Sequence, residues 1–397
     1  MKVNNEKNIL ENYLKKFKKE LYGNIIPFWM KHSPDKKYGG YFTCLDRFGK
    51  VYDNKKYIWL QGRQVWMFSK LYNTVEKKRE WFEMAKLGVD FMRKYAKDAS
   101  GRVYFSLTRE GSPFFIQRKI FAECFYIMGL CEYSRAAGDR AVYNEAIGLF
   151  WKVYGWSKDG SKLGRPNLSG QGNVHSLSVP MILLNLIEDI ADESNLSEFS
   201  VLIDGLLKDI MKHVDTKRQL VFENVSDDSN FKSNSEGRLL NPGHAIECGW
   251  FLLNCAVKRN DSKLMKEAEN IIDWSFDLGW DKKHGGLFYF LDSGRTQPTQ
   301  LEWAMKLWWP HVETMYAFLL LYSLTGSKKY LDKFIKVTDY TFSNFRDSKY
   351  GEWFGYLDRE GKRTHDFKGG PYKGCFHIPR SLLFSIQLLE NMILKSN

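Results

Sequence analysis

The chain has 397 residues, of which 44% are hydrophobic and 16% aromatic. That composition can bury a substantial core, so we expect a globular protein rather than a disordered or fibrous one. The net charge of +12 is spread over short lysine pairs, with no long basic run and no nucleic-acid motif. This excludes a nucleic-acid partner from our expectations and favours a solvated surface, with a phosphate-bearing small ligand as the alternative.

Neither end of the sequence has the pattern of a secretory signal. Residues 1–21 are rich in lysine and glutamate, and no apolar run is long enough to span a bilayer. The six cysteines include no CxxC pair. We therefore expect a cytoplasmic protein with reduced thiols and no membrane partner.

A short pattern recurs along the chain and sets its organisation. A glycine turn, an alternating aromatic strand and an Asp-x-x-Gly turn occur at 37–50, 282–292 and 349–362. Each copy predicts a short β-hairpin. Looser copies lie at 100–107 and 217–223, and the spacing of roughly 60 residues indicates a repeat.

Pairs of amphipathic helical stretches lie between these turns. The twelve predicted helices are 7–31, 57–76, 79–97, 114–137, 140–154, 174–193, 196–214, 242–259, 261–279, 300–325, 328–346 and 373–394. One member of a pair is nearly all apolar, as at 317–322, whereas its partner carries a charged face, as at 328–345. The sequence therefore predicts an all-α protein, an (α/α)6 barrel with hairpins in its connecting loops, forming one domain over residues 1–397.

Four segments place a histidine, glutamate or arginine beside tryptophan at the start of a predicted inner helix. They are Gln61–Trp66, Asn241–Trp250, Trp308–Glu313 and Phe376–Arg380. Polar groups of this kind are costly to bury unless they are used or satisfied, and tryptophan rings stack well on sugars. We expect the four segments to meet at one end of the barrel and to form a carbohydrate site that moves protons.

The chain resembles the N-acylglucosamine 2-epimerase family over essentially its whole length. The motifs that carry the resemblance occur in the family's order: Arg63-Gln-Val-Trp66, Gly164-Arg-Pro-Asn-Leu168, Asn241-Pro-Gly-His-x-x-Glu247, Trp309-Pro-x-x-Glu313 and Phe376-His-x-Pro-Arg380. The resemblance implies an (α/α)6 barrel that interconverts N-acetylglucosamine and N-acetylmannosamine. It also implies ATP as an allosteric activator that is not consumed, and we expect a homodimer.

Inversion of C2 needs one group to remove the proton alpha to the carbonyl and another to return a proton to the other face. We assign His244 and His377 to these roles, because histidine changes its charge near neutral pH. Arg63 is the candidate for holding the enediolate oxygen. Glu313 is assigned to the catalytic set and either orients a histidine or binds a hydroxyl. The predicted substrate-binding residues are Glu247, Trp250, Trp309, Arg380 and His175.

Three alternative functions remain at this stage. Asn173-Val-His175 looks like the extra histidine of cellobiose 2-epimerases and mannose isomerases, although Ser178 stands where those branches have glutamate. An unacylated sugar is therefore the first alternative substrate. A glycoside hydrolase that uses Glu247 and Glu313 as its carboxylate pair is the second alternative, and a non-catalytic carbohydrate- or protein-binding module is the third.

We expect no metal and no nucleotide hydrolysis. The spacings His244-x-x-Glu247 and His311-x-Glu313 resemble ligand pairs, but no HExxH or Cys/His cluster accompanies them. No phosphate-binding P-loop and no dinucleotide fingerprint is present. The candidate locations for a nucleotide effector are two glycine loops with basic residues, Gly155–Arg165 and Lys368–Lys373.

Overall fold

The computed structural model describes residues 2–164, 174–226, 231 and 233–395. Within these ranges the chain is mostly helical. Helix α1 (Lys2–Glu20) continues through a π-helical turn (Leu21–Ile25) into α2 (Ile26–His32). The other helices are α3 (Ile58–Thr74), α4 (Arg79–Tyr95), α5 (Phe121–Ala137), α6 (Arg140–Lys158), α7 (Ser178–Ile190), α8 (Leu196–Met211), α9 (Pro242–Arg259), α10 (Ser262–Gly279), α11 (Trp308–Thr325), α12 (Lys328–Phe345) and α13 (His377–Lys395).

The helices form two concentric rings. In α11 every residue from Trp308 to Tyr322 is buried, whereas α12 buries one face only. Helices α3, α5, α7, α9, α11 and α13 pack in that order as the inner ring, and the other helices pack against their outer sides. The predicted (α/α)6 barrel is confirmed. No helix in the described ranges is both long and apolar enough to cross a membrane.

Aromatic rings fill the axis of the barrel. The Phe384 ring of α13 contacts Trp66 of α3, Trp250 of α9 and Tyr316 of α11, with centroid separations of 6.0, 6.3 and 5.4 Å. Trp66 also contacts Phe376 at 5.4 Å. Side chains from four inner helices therefore meet at the centre, as the apolar sequence of these helices requires.

Short β-strands lie in the loops between the helices. They are β1 (Cys44–Leu45), β2 (Val51–Asp53), β3 (Lys56–Tyr57), β4 (Ser106–Leu107), β5 (Pro113–Phe115), β6 (Val174–Ser176), β7 (Val214–Asp215), β8 (Leu220–Val221), β9 (Asn224–Ser226), β10 (Leu239–Leu240), β11 (Leu291–Asp292), β12 (Lys306–Leu307) and β13 (Tyr356–Leu357). The predicted glycine-turn hairpins are present, closed by the bridges Pro34↔Tyr41, Trp280↔Leu287 and Arg346↔Trp353. The sequence did not predict that strands of successive loops also pair, as β3–β4, β10–β11 and β12–β13 do.

The structure corrects the predicted starts of four inner helices. The stretches expected to begin at residues 114, 174 and 300 begin at Phe121, Ser178 and Trp308, because the residues before them include strands β5, β6 and β12. The last helix begins at His377 rather than residue 373. In each case the predicted helical stretch includes apolar residues that the structure places in a strand or loop.

A buried aspartate joins neighbouring loops at three places. Asp281, after α10, accepts Lys306 Nζ at 3.2 Å and Arg359 Nε at 3.0 Å. The lysine comes from the strand before the next inner helix and is fully buried, and the arginine comes from the following loop. Two further triads have the same design: Asp35 with Lys56 and Arg109, and Asp347 with Lys368 and Arg47.

Candidate active site

The four sequence segments meet at one cavity, as predicted. They begin α3, α9, α11 and α13, and the cavity between them has a volume of about 580 Å³. Its walls are Trp59, Arg63, His244, Glu247, Tyr289, Glu302, Met305, Leu307, Trp308, Trp309, Tyr356, His365, Tyr372 and His377. Inner-helix N-termini surround it, which favours negative charge on a ligand.

Local capping places His244 in the first turn of α9. The Asn241 side chain accepts the backbone N–H of His244 at 3.1 Å, and Pro242 occupies the first helical position. Both residues are typical of a helix start. The Asn-Pro-Gly-His motif therefore encodes the position of the histidine at the cavity.

Glu223 fixes the His244 ring. Its Oε2 atom lies 3.0 Å from Nδ1 of His244, which leaves Nε2 as the nitrogen that can exchange a proton. Burial by itself lowers the pKa of His244, but the Glu223 carboxylate and, more weakly, Glu247 outweigh burial, and the net shift is upward. His244 is therefore biased toward the imidazolium form.

His377 is held by a different carboxylate in a different electrostatic environment. Its Nδ1 atom lies 2.7 Å from Oε1 of Glu313. Burial lowers the pKa of His377 well below its usual value; the nearby Arg63 guanidinium adds to the shift, and Glu247 opposes it. His377 is therefore biased toward the neutral form, with Nε2 available as a base.

Arg380 binds the carboxylates of the site to one another. Its Nη2 atom donates to Glu247 Oε1 at 2.5 Å and to Glu313 Oε1 at 2.7 Å. Trp250 Nε1 donates to the other oxygen of Glu313 at 3.0 Å. Burial raises the pKa of Glu313 and Arg380 opposes that shift. Arg380 Nη2, Trp250 Nε1 and His377 Nδ1 all converge on Glu313. Donors at both oxygens favour the ionised form, so Glu313 is a carboxylate.

The two histidines face one region of the cavity. The Trp309 ring lies 5.2 Å from the His244 ring and 5.9 Å from the His377 ring, between centroids. Two titratable groups with pKa values shifted in opposite directions are the arrangement that acid–base chemistry needs. Trp309 lines the cavity, and its role as a stacking surface for a sugar stays a prediction.

Arg63 is a buried cation held by aromatic rings. Its guanidinium carbon lies 3.9 Å from the centroid of Phe125, 4.5 Å from Trp59 and 5.0 Å from Phe376. The Nε atom is buried without a hydrogen-bond partner. Burial lowers the pKa of Arg63 to about 9, so the group stays charged at neutral pH. The residue lines the cavity, so its guanidinium offers positive charge to a ligand there.

Four predicted site residues lie outside the cavity lining: Glu313, Trp250, Arg380 and His175. Trp250 and Arg380 lie behind Glu313 and hold it, so the structure does not place Trp250 as a stacking wall. His175 is exposed on β6, which pairs with β9. Of the motif Gly164–Leu168, the structure describes Gly164 only.

Gly62 serves helix packing rather than ligand access. A Cβ atom there would lie 2.1 Å from the carbonyl oxygen of Phe125, so α3 and α5 can approach closely only because the residue is glycine. This contact orients α3 and with it the neighbouring Arg63.

Sequence reasoning missed several residues of the site. Glu223 ends the looser strand pattern at 217–223, and a carboxylate at the end of a half-buried strand is the signal that could have revealed it. Tyr289 and Tyr356 lie in the aromatic strands of the repeat. The other missed wall residues are Trp59, Glu302, Met305, Leu307, His365 and Tyr372.

One set of side chains has the composition of a metal site. Glu247, Glu313 and His377 each offer an atom within 4.8 Å of the others. The Arg380 guanidinium already bridges the two carboxylates, and Glu313 already engages Nδ1 of His377. These ligand atoms therefore have a cation in place, and the absence of a metal stays a prediction.

The glycine loop at 368–373 is a poor match for a phosphate site. Lys368 and Lys373 are fully buried, and their Nζ atoms lie 2.9 Å from Asp347 and from Glu352 respectively. Neither ammonium group is open to a phosphate. Of the other candidate, Gly155–Arg165, the structure describes the residues up to Gly164.

Comparison with known proteins supports the same family. The family model for N-acylglucosamine 2-epimerase (GlcNAc 2-epimerase) matches residues 40–379. The chain belongs to this family. The N-acylglucosamine 2-epimerase of Bos taurus is 48% identical over 377 residues, covering 93% of this chain and 89% of that protein. The Homo sapiens N-acylglucosamine 2-epimerase is 45% identical over 396 residues, covering 98% and 92%.

A solved structure supports the fold of this N-acylglucosamine 2-epimerase family member. The cellobiose 2-epimerase from Bacillus thermoamylovorans superposes with a TM-score of 0.80, covering 95% of this chain and 99% of that one. The identity is 22%, so the likeness shows a shared fold.

The Glu223–His244 pair predicts a specific pH response. The reactive enzyme holds one proton on the histidine pair, so kcat/KM is lost at high pH as His244 deprotonates. Glu223→Gln removes the carboxylate that raises the His244 pKa, and the alkaline limb of the profile is expected to move to lower pH. The measurement is kcat/KM against pH for both sugar epimers. The control is Glu360→Gln, an exposed residue outside the cavity, and an unmoved alkaline limb in Glu223→Gln would contradict the role of Glu223.

Proposed function

We propose that the protein is a sugar 2-epimerase that interconverts N-acetyl-D-glucosamine and N-acetyl-D-mannosamine. The observation that carries this proposal is the pair His244 and His377, which contact one indole and have oppositely shifted pKa values. Relatives at 48% and 45% identity that bear the name N-acylglucosamine 2-epimerase support the substrate.

The reaction begins with proton removal from C2 of the ring-opened sugar. Neutral His377 takes this proton at Nε2, and Glu313, which accepts Nδ1–H, stabilises the resulting imidazolium. The electrons move toward the carbonyl and give a 2-acetamido enolate with negative charge on O1. The Arg63 guanidinium lines the cavity and stabilises that charge.

Reprotonation from the other face completes the inversion. Imidazolium His244 returns a proton to C2 from its Nε2, and the enolate collapses to the epimeric aldehyde. Each histidine ends in the other's starting protonation state, and proton exchange after release restores the pair. The reverse reaction uses the same groups in exchanged roles, which suits a freely reversible epimerisation.

The geometry gives less support to the alternatives. A glycoside hydrolase needs two carboxyls on opposite sides of a scissile bond, whereas Glu247 and Glu313 share one guanidinium group. The unacylated-sugar alternative was based on His175, which is exposed and does not line the cavity. No observation favours a purely non-catalytic module.

The histidine assignment predicts complementary exchange behaviour. His244→Ala and His377→Ala are each expected to reduce net epimerisation at least about 10²-fold to 10⁴-fold. Each variant keeps one base, so in D₂O each should still exchange the C2 proton of one epimer without inversion, and the two variants should retain opposite epimers. NMR measures both quantities. His284→Ala, outside the cavity, is the control, and near-normal turnover in either active-site variant would refute the pair.

Arg63 predicts an effect on turnover. Arg63→Lys keeps the charge but loses the planar two-pronged donor, so it should lower kcat by about 10²-fold to 10³-fold and change KM little. Steady-state kinetics of the two epimers give both constants. A raised KM with kcat within a few-fold of wild type would make Arg63 a substrate-positioning residue instead.

We also propose ATP as an allosteric activator that is not consumed, in a cytoplasmic homodimer. Family resemblance supports the nucleotide effector. A non-hydrolysable ATP analogue is expected to raise both activity and Tm, because a ligand that binds the folded state stabilises it. The assay compares rate and Tm with and without the analogue, at constant protein concentration, and light scattering gives the oligomeric state. Unchanged activity and Tm would remove the nucleotide from the proposal.

A further inference from the structure

The cavity has a buried end and an open end. Arg63, Glu247 and His377 at the buried end are each at most 9% exposed. Glu302, His365 and Tyr372 are exposed and form the opening. These opening residues come from the loops before α11 and α13, so they are separate in sequence from the histidine pair.

If the proposed function holds, the difference in burial between the two ends of the cavity fixes the orientation of the substrate. The reacting atoms O1, C1 and C2 must lie at the buried end, beside the histidines and Arg63. The other end of the open-chain sugar, C4 to C6 with their hydroxyls, then points to the opening. Whatever recognises that end is set by the residues of the opening rather than by the catalytic group.

Glu302 is the anion of the opening. Backbone hydrogen bonds hold its turn: Trp303 N–H donates to Gln300 at 3.1 Å, and Met305 N–H donates to the Glu302 carbonyl at 2.9 Å. Its charge acts on the neighbouring Tyr289, whose pKa is raised to about 12 mainly by burial and further by Glu302. Within the described part of the chain, no lysine or arginine forms an ion pair with Glu302, and Arg63 is the one cavity wall residue of either type.

We propose that Glu302 is a specificity residue that accepts hydrogen bonds from the C4–C6 hydroxyls and excludes hexosamines phosphorylated at C6. A carboxylate is a strong acceptor for sugar hydroxyls. The same charge repels a phosphate dianion, and the opening offers no lysine or arginine to offset that repulsion. The inference rests on the proposed function and extends it to a choice between neutral and phosphorylated substrates.

The test compares N-acetylmannosamine with its 6-phosphate in wild type and in Glu302→Gln. Removal of the charge-assisted hydrogen bond is expected to lower kcat/KM for the neutral sugar about 10-fold, mostly through KM, because Glu302 does not touch the reacting atoms. The preference for neutral over phosphorylated sugar should fall at least about 10-fold in the variant. Glu360→Gln removes an exposed carboxylate outside the cavity and should leave both ratios unchanged.

The outcomes separate the inference from the proposed function. A preference ratio in Glu302→Gln within about twofold of wild type, with the protein folded, would overturn the role of Glu302. A loss of activity on both sugars with an unchanged ratio would make Glu302 a structural residue and overturn it equally. Wild type that fails to exchange the C2 proton of either sugar would instead refute the epimerase assignment.

Discussion

The site depends on the ion pairs that the buried guanidinium of Arg380 forms. It binds Glu247 of α9 and Glu313 of α11 from α13, so one cation joins three inner helices. Without this guanidinium, two carboxylates so close together in a buried site would not both stay ionised. Glu313 would then lose the charge with which it holds His377, and the neutral, oriented base would be lost with it. Burying charged groups costs free energy, and pairing among these groups offsets that cost.

A second set of buried charges shapes the opening of the cavity. Two of the three Asp–Lys–Arg triads lie in the loops that also carry Tyr289, Tyr356 and His365. Each triad ties the end of an outer helix to the segment before the next inner helix and to a loop of another unit. The loops are thus held by desolvated ion pairs, and the aromatic walls keep fixed positions without a large sheet to support them.

The sequence was sufficient for the helices and for the histidines, and insufficient for their partners. His244 and His377 were predictable because the family motifs that contain them distinguish them from a structural histidine such as His311, whose ring nitrogens lie within hydrogen-bond distance of backbone groups of Leu287 and Leu307. Glu223 reaches His244 through a contact between a loop and a helix start, and no local periodicity encodes such a contact. Trp250 was predicted to be a wall of the cavity, but its Nε1–H donates a hydrogen bond to Glu313 behind the wall. That contact depends on tertiary structure, which local sequence does not encode. The late starts of α5, α7 and α11 have the same cause, since strand pairing between loops competes with helical periodicity.

The ring closes where no peptide bond joins it. The first and last units meet through Arg47–Asp347, through Glu20 with Arg346 and Trp353, and through α1 against α13. Arg63 belongs to one side of this seam, and Phe376 and His377 belong to the other. The proposed oxyanion donor and the proposed base therefore come from opposite sides of the seam. The contacts that close the ring thus also set the position of one group relative to the other.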